Sequence, residues 1–245
     1  MASVQIKEYN IYASRVDDIE VENTQTIINT INAHSYITAK KDGEFKKALI
    51  KSDILLPDGE GIVFMVRALN GVKITKVAGA DIHEHLLNLA NNHKLKCFYL
   101  GASESTLDLI KQKIATGYPN ICLGSYSPPF KPVFSQEDNT SMIKAVNDFS
   151  PHILFVGMTA PKQEKWVFEN SNKINAKVIC SIGAVFDFVA ETKKRAPQWV
   201  INIKMEWFYR SFTAWRLTKR YAYSTPLFIF EVIKLKYFSK HKKHV

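Results

Sequence analysis

PHILFVGMTAPKQEKW, Pro151 to Trp166, is the stretch that decides the fold. Its apolar run Ile153 to Val156 is short and continuous, the pattern of a strand buried on both faces in a parallel sheet. Gly157 marks a tight loop. Pro161 then suits the first helical position, where its missing N–H costs nothing. Lys162, Gln163 and Glu164 therefore fall in the first turn of a helix at the carboxyl end of a strand. In open α/β sheets ligands occupy the crevice at those ends, and helix N-termini attract anions. An ordinary structural joint with a polar first turn fits the same pattern, so the rest of the chain must distinguish the two.

Working outward, the rhythm repeats. LKCFYLGASESTLDLIKQKI reads as a strand, Gly101, a cap at Ser103 and an amphipathic helix. PNICLGSYSPPF is a strand entering a Pro-rich aromatic loop from Tyr126 to Phe130, with a helix from Ser135 to Phe149. KVICSIGAVFDFVAE is a strand ending at Gly183, with Asp187 beyond it. Toward the N-terminus, ITKVAGADIHEHLLNLANNHK reads as a strand end, a turn at Gly79 and a helix capped by Asp81. Asp53 to Leu56 is a short strand that stops at Pro57-Asp58-Gly59-Glu60-Gly61, ahead of an apolar helix from Ile62 to Leu69. TQTIINTIN is a buried strand ending at Asn32, and YITAKKDGEFKKALIKSD is two short helices broken at Asp42-Gly43. Val4 to Tyr12 is a strand or an edge hairpin. Together these units predict an α/β fold, with a mostly parallel sheet of about six strands and helices on both faces.

The chain has 245 residues and 46% hydrophobic content, enough to bury a full core. Its net charge of +10 is unevenly placed: Lys193 onward carries 13 Lys and Arg against Glu206 and Glu231 alone. The same segment holds 12 of the 29 aromatic residues, including Trp199, Trp207 and Trp215. Phe208, Phe212 and Trp215 recur at helical spacing, and a second helix is expected to start near Pro226. A basic, aromatic, helical tail suits an anionic lipid surface or a nucleic acid. No RNA-binding motif is spelled, so a nucleic-acid partner is not expected, although a nucleic-acid-binding tail is the competing reading. Burial of the tail's apolar positions against a second subunit leaves a homo-oligomer open. Cys97, Cys122 and Cys180 lie in separate apolar runs and read as buried strand thiols of a reducing compartment. No secretory leader is spelled at the N-terminus, and no run reaches the roughly 18 to 20 apolar residues of a membrane span. The expected location is the cytoplasm, peripheral on the inner face of the cell membrane.

Familiar nucleotide loops are missing: there is no GxxxxGK[ST] and no GxGxxG after the first strand. There is also no DxD, HExxH or Cys/His cluster, so a site without metal or cofactor is expected. What remains is a set of polar residues at strand ends, namely Thr30, Asn32, Asp58, Asp81, Tyr126, Gln163, Glu164 and Asp187. Each alone suits a cap or a turn. In a parallel sheet these ends converge on one edge, as the polar groups of a ligand site do. Asp58 is the candidate general base, since a carboxylate on a Gly-flanked turn can approach a substrate hydroxyl closely.

Taken together, INAHSY, LLPDGEGIV, KVAGADIHEHLL, FYLGAS, GSYSPPF, GMTAPKQEKW, SIGAVFDF and RAPQWV…EWFYR resemble the WecG/TagA/CpsF family of bacterial glycosyltransferases along nearly the whole chain. The resemblance implies a Rossmann-like domain followed by a C-terminal appendage that helps to close the site and touches the membrane. It also implies inverting, metal-independent transfer from a UDP-sugar donor to a polyprenyl-diphosphate-linked saccharide acceptor. Carried over, the PDG aspartate acting as base is Asp58, the strand-end threonine and asparagine are Thr30 and Asn32, and the PKQE glutamine is Gln163. Lys162 and Glu164 of that motif, with Asp81, Tyr126 and Asp187, are the further candidates for substrate contacts. The appendage arginines that bind the diphosphate fall on Arg210, Arg216 and Arg220. Departure of UDP leaves negative charge, and a charge-assisted hydrogen bond from an arginine contributes about 1.5 to 3 kcal/mol toward holding it. Two positions depart from the family pattern: Ile31 and Trp215 stand where it often has proline. The expected division is a catalytic domain over 1–195 and the appendage over 196–245. A non-catalytic sugar-nucleotide-binding scaffold would use the same residues.

Overall fold

The computed structural model describes residues 2–190 and 215–241, with side chains of the last helix described over 222–237. Arg210 and the expected domain boundary near Arg195 lie outside the described residues, as do the side chains of Arg216 and Arg220.

Among the described residues eight strands form one sheet. They are β1 (Ser3–Ile6), β2 (Tyr9–Tyr12), β3 (Thr26–Ile31), β4 (Ile54–Pro57), β5 (Lys96–Gly101), β6 (Cys122–Tyr126), β7 (Ile153–Gly157) and β8 (Val178–Ser181). Their spatial order is β1-β2-β4-β3-β8-β7-β5-β6. Only β1 and β2 pair antiparallel; every other neighbouring pair is parallel. The sequence pointed to about six strands, and β3 to β8 are those six. The hairpin at Val4 to Tyr12 extends the sheet through a single register pair, Ile11 with Leu55.

The helices are α1 (Ala33–Ala39), α2 (Gly43–Ile50), α3 (Glu60–Asn70), α4 (Gly79–Asn92), α5 (Glu104–Gly117), α6 (Gln136–Phe149), α7 (Lys162–Asn170), α8 (Gly183–Val189) and α9 (Trp215–His241). Both sheet faces are covered, as the continuous apolar strands require. On one face Leu86, Leu107, Ile110 and Phe186 of α4, α5 and α8 pack on Ile28, Leu56, Tyr99, Phe155 and Cys180. On the other, Trp166 and Met142 cover Leu100, Leu154 and Ile179, while Tyr36, Phe45, Met65 and Phe228 cover Ile11, Ile31 and Leu55. Phe228 and Val232 belong to α9, so the C-terminal helix completes a core begun by the first strands.

Five local expectations are corrected. Pro161 is the N-cap of α7 and not its first helical residue. Asp81 is the third residue of α4 and not its cap; its Oδ2 accepts from the Ala78 N–H at 2.8 Å, which still supplies an early backbone donor with a partner. Residues 74–78, read as a strand end, form no strand, although the Val77 N–H donates to the Pro57 carbonyl at 3.0 Å. Cys97 and Cys180 are buried, but Cys122 is exposed, because it opens the edge strand β6. Finally, Pro226 lies inside α9, which runs without interruption from Trp215 to His241.

Candidate functional site

The sheet order places the strand-end residues along one edge and turns it at β3. Connections from β3 lead to β4 on one side, while β5 to β8 lie on the other, so β3 and β8 flank a topological switch point. Ligands of open α/β sheets bind in the crevice outside the carboxyl ends at such a point.

Asn32 follows β3 and caps α1: its Oδ1 accepts from the Ser35 N–H at 2.9 Å and from the Ser35 hydroxyl at 3.1 Å. Thr30, half-buried, sits two residues earlier and pairs in register with Leu56. Asp58 follows β4, and its backbone N–H donates to the Ile31 carbonyl at 2.9 Å, which fixes the start of its turn against the end of β3. Gly59 continues that turn at φ +106°, a conformation that side chains rarely adopt. A Cβ on Gly59 would stand 3.9 Å from the Asn32 Cβ, so the two turns touch. The structure thus brings Thr30, Asn32 and Asp58 together.

Gln163 is 4% exposed and ties two loops of the same edge. Its Oε1 accepts from the backbone N–H of Met158 at 3.3 Å and of Gly183 at 3.1 Å, while its Nε2 donates to Glu164 Oε1 at 2.9 Å. A primary amide has two acceptor sites and two donor hydrogens, so three of the four have partners among the described residues. Whatever Gln163 does for a ligand it does with one remaining N–H. Glu164, 2% exposed, orients that amide. Asp187 is half-buried on α8, and Asp81 sits at the start of α4, whose Gly79 packs against Ile182 and Val185 of the β8–α8 segment. These residues border the switch point.

Lys162 and Tyr126 stand apart from this group. The Lys162 ammonium donates to the Lys131 carbonyl and lies 3.5 Å over the Phe134 ring centroid, so it is turned toward the β6–α6 loop. Partial burial lowers its pKa, against the pull of Asp138. Tyr126 ends β6 on the far edge of the sheet. The residues that sequence reasoning passed over are His34, Ser35 and Thr38. On the first turns of α1 they line a small cleft with Phe45, Ala160 and Pro161, between Asn32 and the β7–α7 loop. INAHSY carried the signal, but a lone histidine has no spacing that marks it as a ligand contact. Among the described residues no group of three or more His, Cys, Asp or Glu side chains is placed to hold a metal ion.

The chain is similar to known proteins along most of its length. The family described as "Glycosyl transferase WecG/TagA/CpsF family" matches residues 2–242. An N-acetylglucosaminyldiphosphoundecaprenol N-acetyl-beta-D-mannosaminyltransferase of Bacillus subtilis (strain 168) is 32% identical over 209 residues, which is 85% of this chain and 79% of the relative. A protein of the same name from Staphylococcus aureus (strain MRSA252) is 28% identical over 186 residues, 76% of this chain and 71% of that one.

Proposed function

The chain belongs to the WecG/TagA/CpsF family of glycosyltransferases, and from that premise we propose that it moves an N-acetylmannosamine-type sugar from a UDP-sugar to a polyprenyl-diphosphate-linked saccharide, with inversion and without a metal. The relatives' names supply the acceptor class and the transferred sugar. The observation that carries the mechanism is the contact between the Asp58 turn and the Asn32 cap at adjacent strand ends on the switch point.

In the proposed step the acceptor hydroxyl attacks the anomeric carbon from the face opposite the diphosphate. Asp58 takes the hydroxyl proton, the new glycosidic bond forms, and the bond from the anomeric carbon to the phosphate oxygen breaks with its electron pair leaving on UDP. Thr30, Asn32 and the remaining Gln163 N–H hold the donor sugar or the acceptor. Arg210, Arg216 and Arg220 are assigned to the leaving diphosphate, where two or three guanidinium groups supply the charge that a divalent ion provides in other sugar-nucleotide enzymes.

The acceptor is lipid-linked in this reading, and α9 supports contact with an anionic membrane face. It exposes Tyr223, Leu227, Phe230, Ile233 and Tyr237 beside Lys234 and Lys236. Among the described residues no helix is long and apolar enough to cross a membrane.

The test is a donor screen with full-length protein and a synthetic lipid-diphosphate saccharide, reading UDP release and product. Transfer from a UDP-N-acetylmannosamine donor, retained in EDTA and lowered about 100-fold or more in Asp58→Asn, is expected for loss of a general base. Normal turnover in Asp58→Asn would remove the base, and loss of turnover in EDTA would remove the metal-independent step.

A further inference from the structure

Between Tyr223 and Tyr237 helix α9 carries large apolar side chains on both sides. Tyr223, Leu227, Phe230, Ile233 and Tyr237 lie exposed on one side, while Phe228 and Val232 are buried on the other. Hydrophobicity alone does not select which side docks on the domain. The distinguishing group is Glu231, whose side chain is 6% exposed in the buried face. It accepts from Lys40 Nζ at 2.6 Å, at the C-cap of α1, and from Lys7 Nζ at 3.2 Å, between β1 and β2. An apolar residue there would pack without desolvating a charge, and buried ion pairs are often no more stabilising than apolar replacements. What the pair adds is register. Moving α9 by one residue, about 1.5 Å along and 100° around its axis, would carry the carboxylate to the buried position of Val232 or to the exposed position of Phe230, in either case away from both lysines.

The register matters because of what stands next to Glu231. Phe228 is 3% exposed and meets Tyr36 edge-on, with ring centroids 5.6 Å apart. Its ring lies 3.4 Å from where a Cβ on Gly61 would stand, and the Ala33 Cβ is 3.3 Å from the same point. Ala33 directly follows Asn32, and Gly61 is the second residue of α3, directly after the Asp58-Gly59 turn. Phe228 therefore packs on the first residues of α1 and α3, next to the Asn32 cap and the Asp58 turn.

We propose that Glu231 is a positioning residue: latched to Lys40 and Lys7, it seats Phe228 against Ala33 and Gly61 and so sets the Asn32 and Asp58 turns for transfer. The proposal rests on the glycosyltransferase mechanism above, and its test has one arm that does not. Full-length wild type, Glu231→Gln, Lys40→Gln and the double variant are compared by hydrogen exchange without substrate and by transfer kinetics, with Tm measured on each. Lys40 is half exposed, so Lys40→Gln keeps the comparison informative where Glu231→Gln folds poorly. Expected are faster exchange over 222–237 and also over 58–62 and 32–36, and a kcat lowered about tenfold as the seated population falls. Donor KM should stay within about twofold, and the double variant should be no worse than the poorer single, because both remove one contact. Faster exchange over 222–237 with unchanged exchange over 58–62 would overturn the coupling even in a protein that transfers nothing. Unchanged kcat in a variant whose helix has loosened would overturn the positioning role, and a wild type without transfer would count against the mechanism instead.

Discussion

Gly183 has no room for a side chain. A Cβ there would stand 2.4 Å from Gln163 Oε1 and 3.1 Å from the Thr159 backbone nitrogen. The nearer atom is the end of a side chain that can move, so Gly183→Ala is accommodated by displacing the Gln163 amide from Met158 and Gly183. The variant is expected to lose about 1 to 3 kcal/mol of stability while its kcat for transfer falls about tenfold or more, since the Gln163 N–H left for the ligand is displaced with the amide. Urea unfolding and transfer rates against wild type check this; a wild-type rate in Gly183→Ala would take the orientation of Gln163 out of the mechanism. A second residue-level expectation concerns acid. Burial holds the His83 imidazole down to about 3, and its Nε2 meets the Tyr99 hydroxyl at 2.6 Å. In the unfolded chain it takes up a proton near 6.5. Between these values the unfolded state binds the extra proton, so stability falls as pH drops below 6.5, by about 1.4 kcal/mol per unit from this group. His152, also lowered by burial, acts in the same direction. In denaturation at pH 7, 6 and 5, His83→Gln is expected to be less stable at pH 7 but to show a shallower decline. An identical slope would show that His83 is not the group responsible. At this scale the sequence displayed Asp58 and Asn32 because turn and cap residues announce themselves. It hid the partners of Gln163, since Gly183 is 20 residues away and only the fold joins them.

Helix α9 shows why elements are harder to bound than residues are to place. Proline inside a helix removes a hydrogen bond and costs about 3 kcal/mol, so Pro226 reads as a boundary in sequence. The structure carries the helix through it, with Ser224, Phe228, Glu231 and Val232 all buried against the domain. Burial of one large apolar side chain is worth about 1.5 to 3 kcal/mol, so Phe228 and Val232 together outweigh the proline. The strands were legible for the opposite reason. Ile153 to Val156 and Leu55 to Leu56 are buried on both faces, so their local pattern and their tertiary setting agree. The exposed side of α9 gives an expectation of its own. Phe230 is 66% exposed and Ile233 62%, and neither belongs to the core that Phe228 completes. Changing both to Ser should leave the melting temperature within a few degrees and weaken co-sedimentation with phosphatidylglycerol vesicles about tenfold or more, given roughly 25 cal/mol per Å² of apolar surface withdrawn from water. Unaltered vesicle binding would move the lipid contact elsewhere in the chain.

Across the whole molecule, the sheet order sets a length that no single motif reveals. Asp58 follows β4 and Tyr126 ends β6, five neighbouring-strand steps apart in the order β4-β3-β8-β7-β5-β6. At about 4.8 Å per step the two strand ends are roughly 24 Å apart before twist is considered. Sequence reading gathered both into one convergent edge, which the parallel sheet bears out as a direction but not as a single contact zone. No one sugar touches both residues. In the proposed mechanism an extended donor would lie along the edge with its reacting carbon near the Asp58 and Asn32 turns and its far end toward β5 and β6, where Lys162 is turned to the β6–α6 loop and Tyr126 ends its strand. Substitution at the two ends should therefore separate kinetically. In that proposed pose Tyr126→Ala would remove contact with a part of the donor that does not change between ground and transition state, so donor KM should rise about tenfold with kcat nearly constant. Asp58→Asn alters the group proposed to take the proton, so kcat should fall about 100-fold or more with donor KM nearly constant. Steady-state UDP release against donor concentration, at saturating acceptor, resolves the two. If Tyr126→Ala lowered kcat as far as Asp58→Asn does, the donor would not lie along the edge in this direction, and the reacting centre would have to be placed nearer β7 and β8.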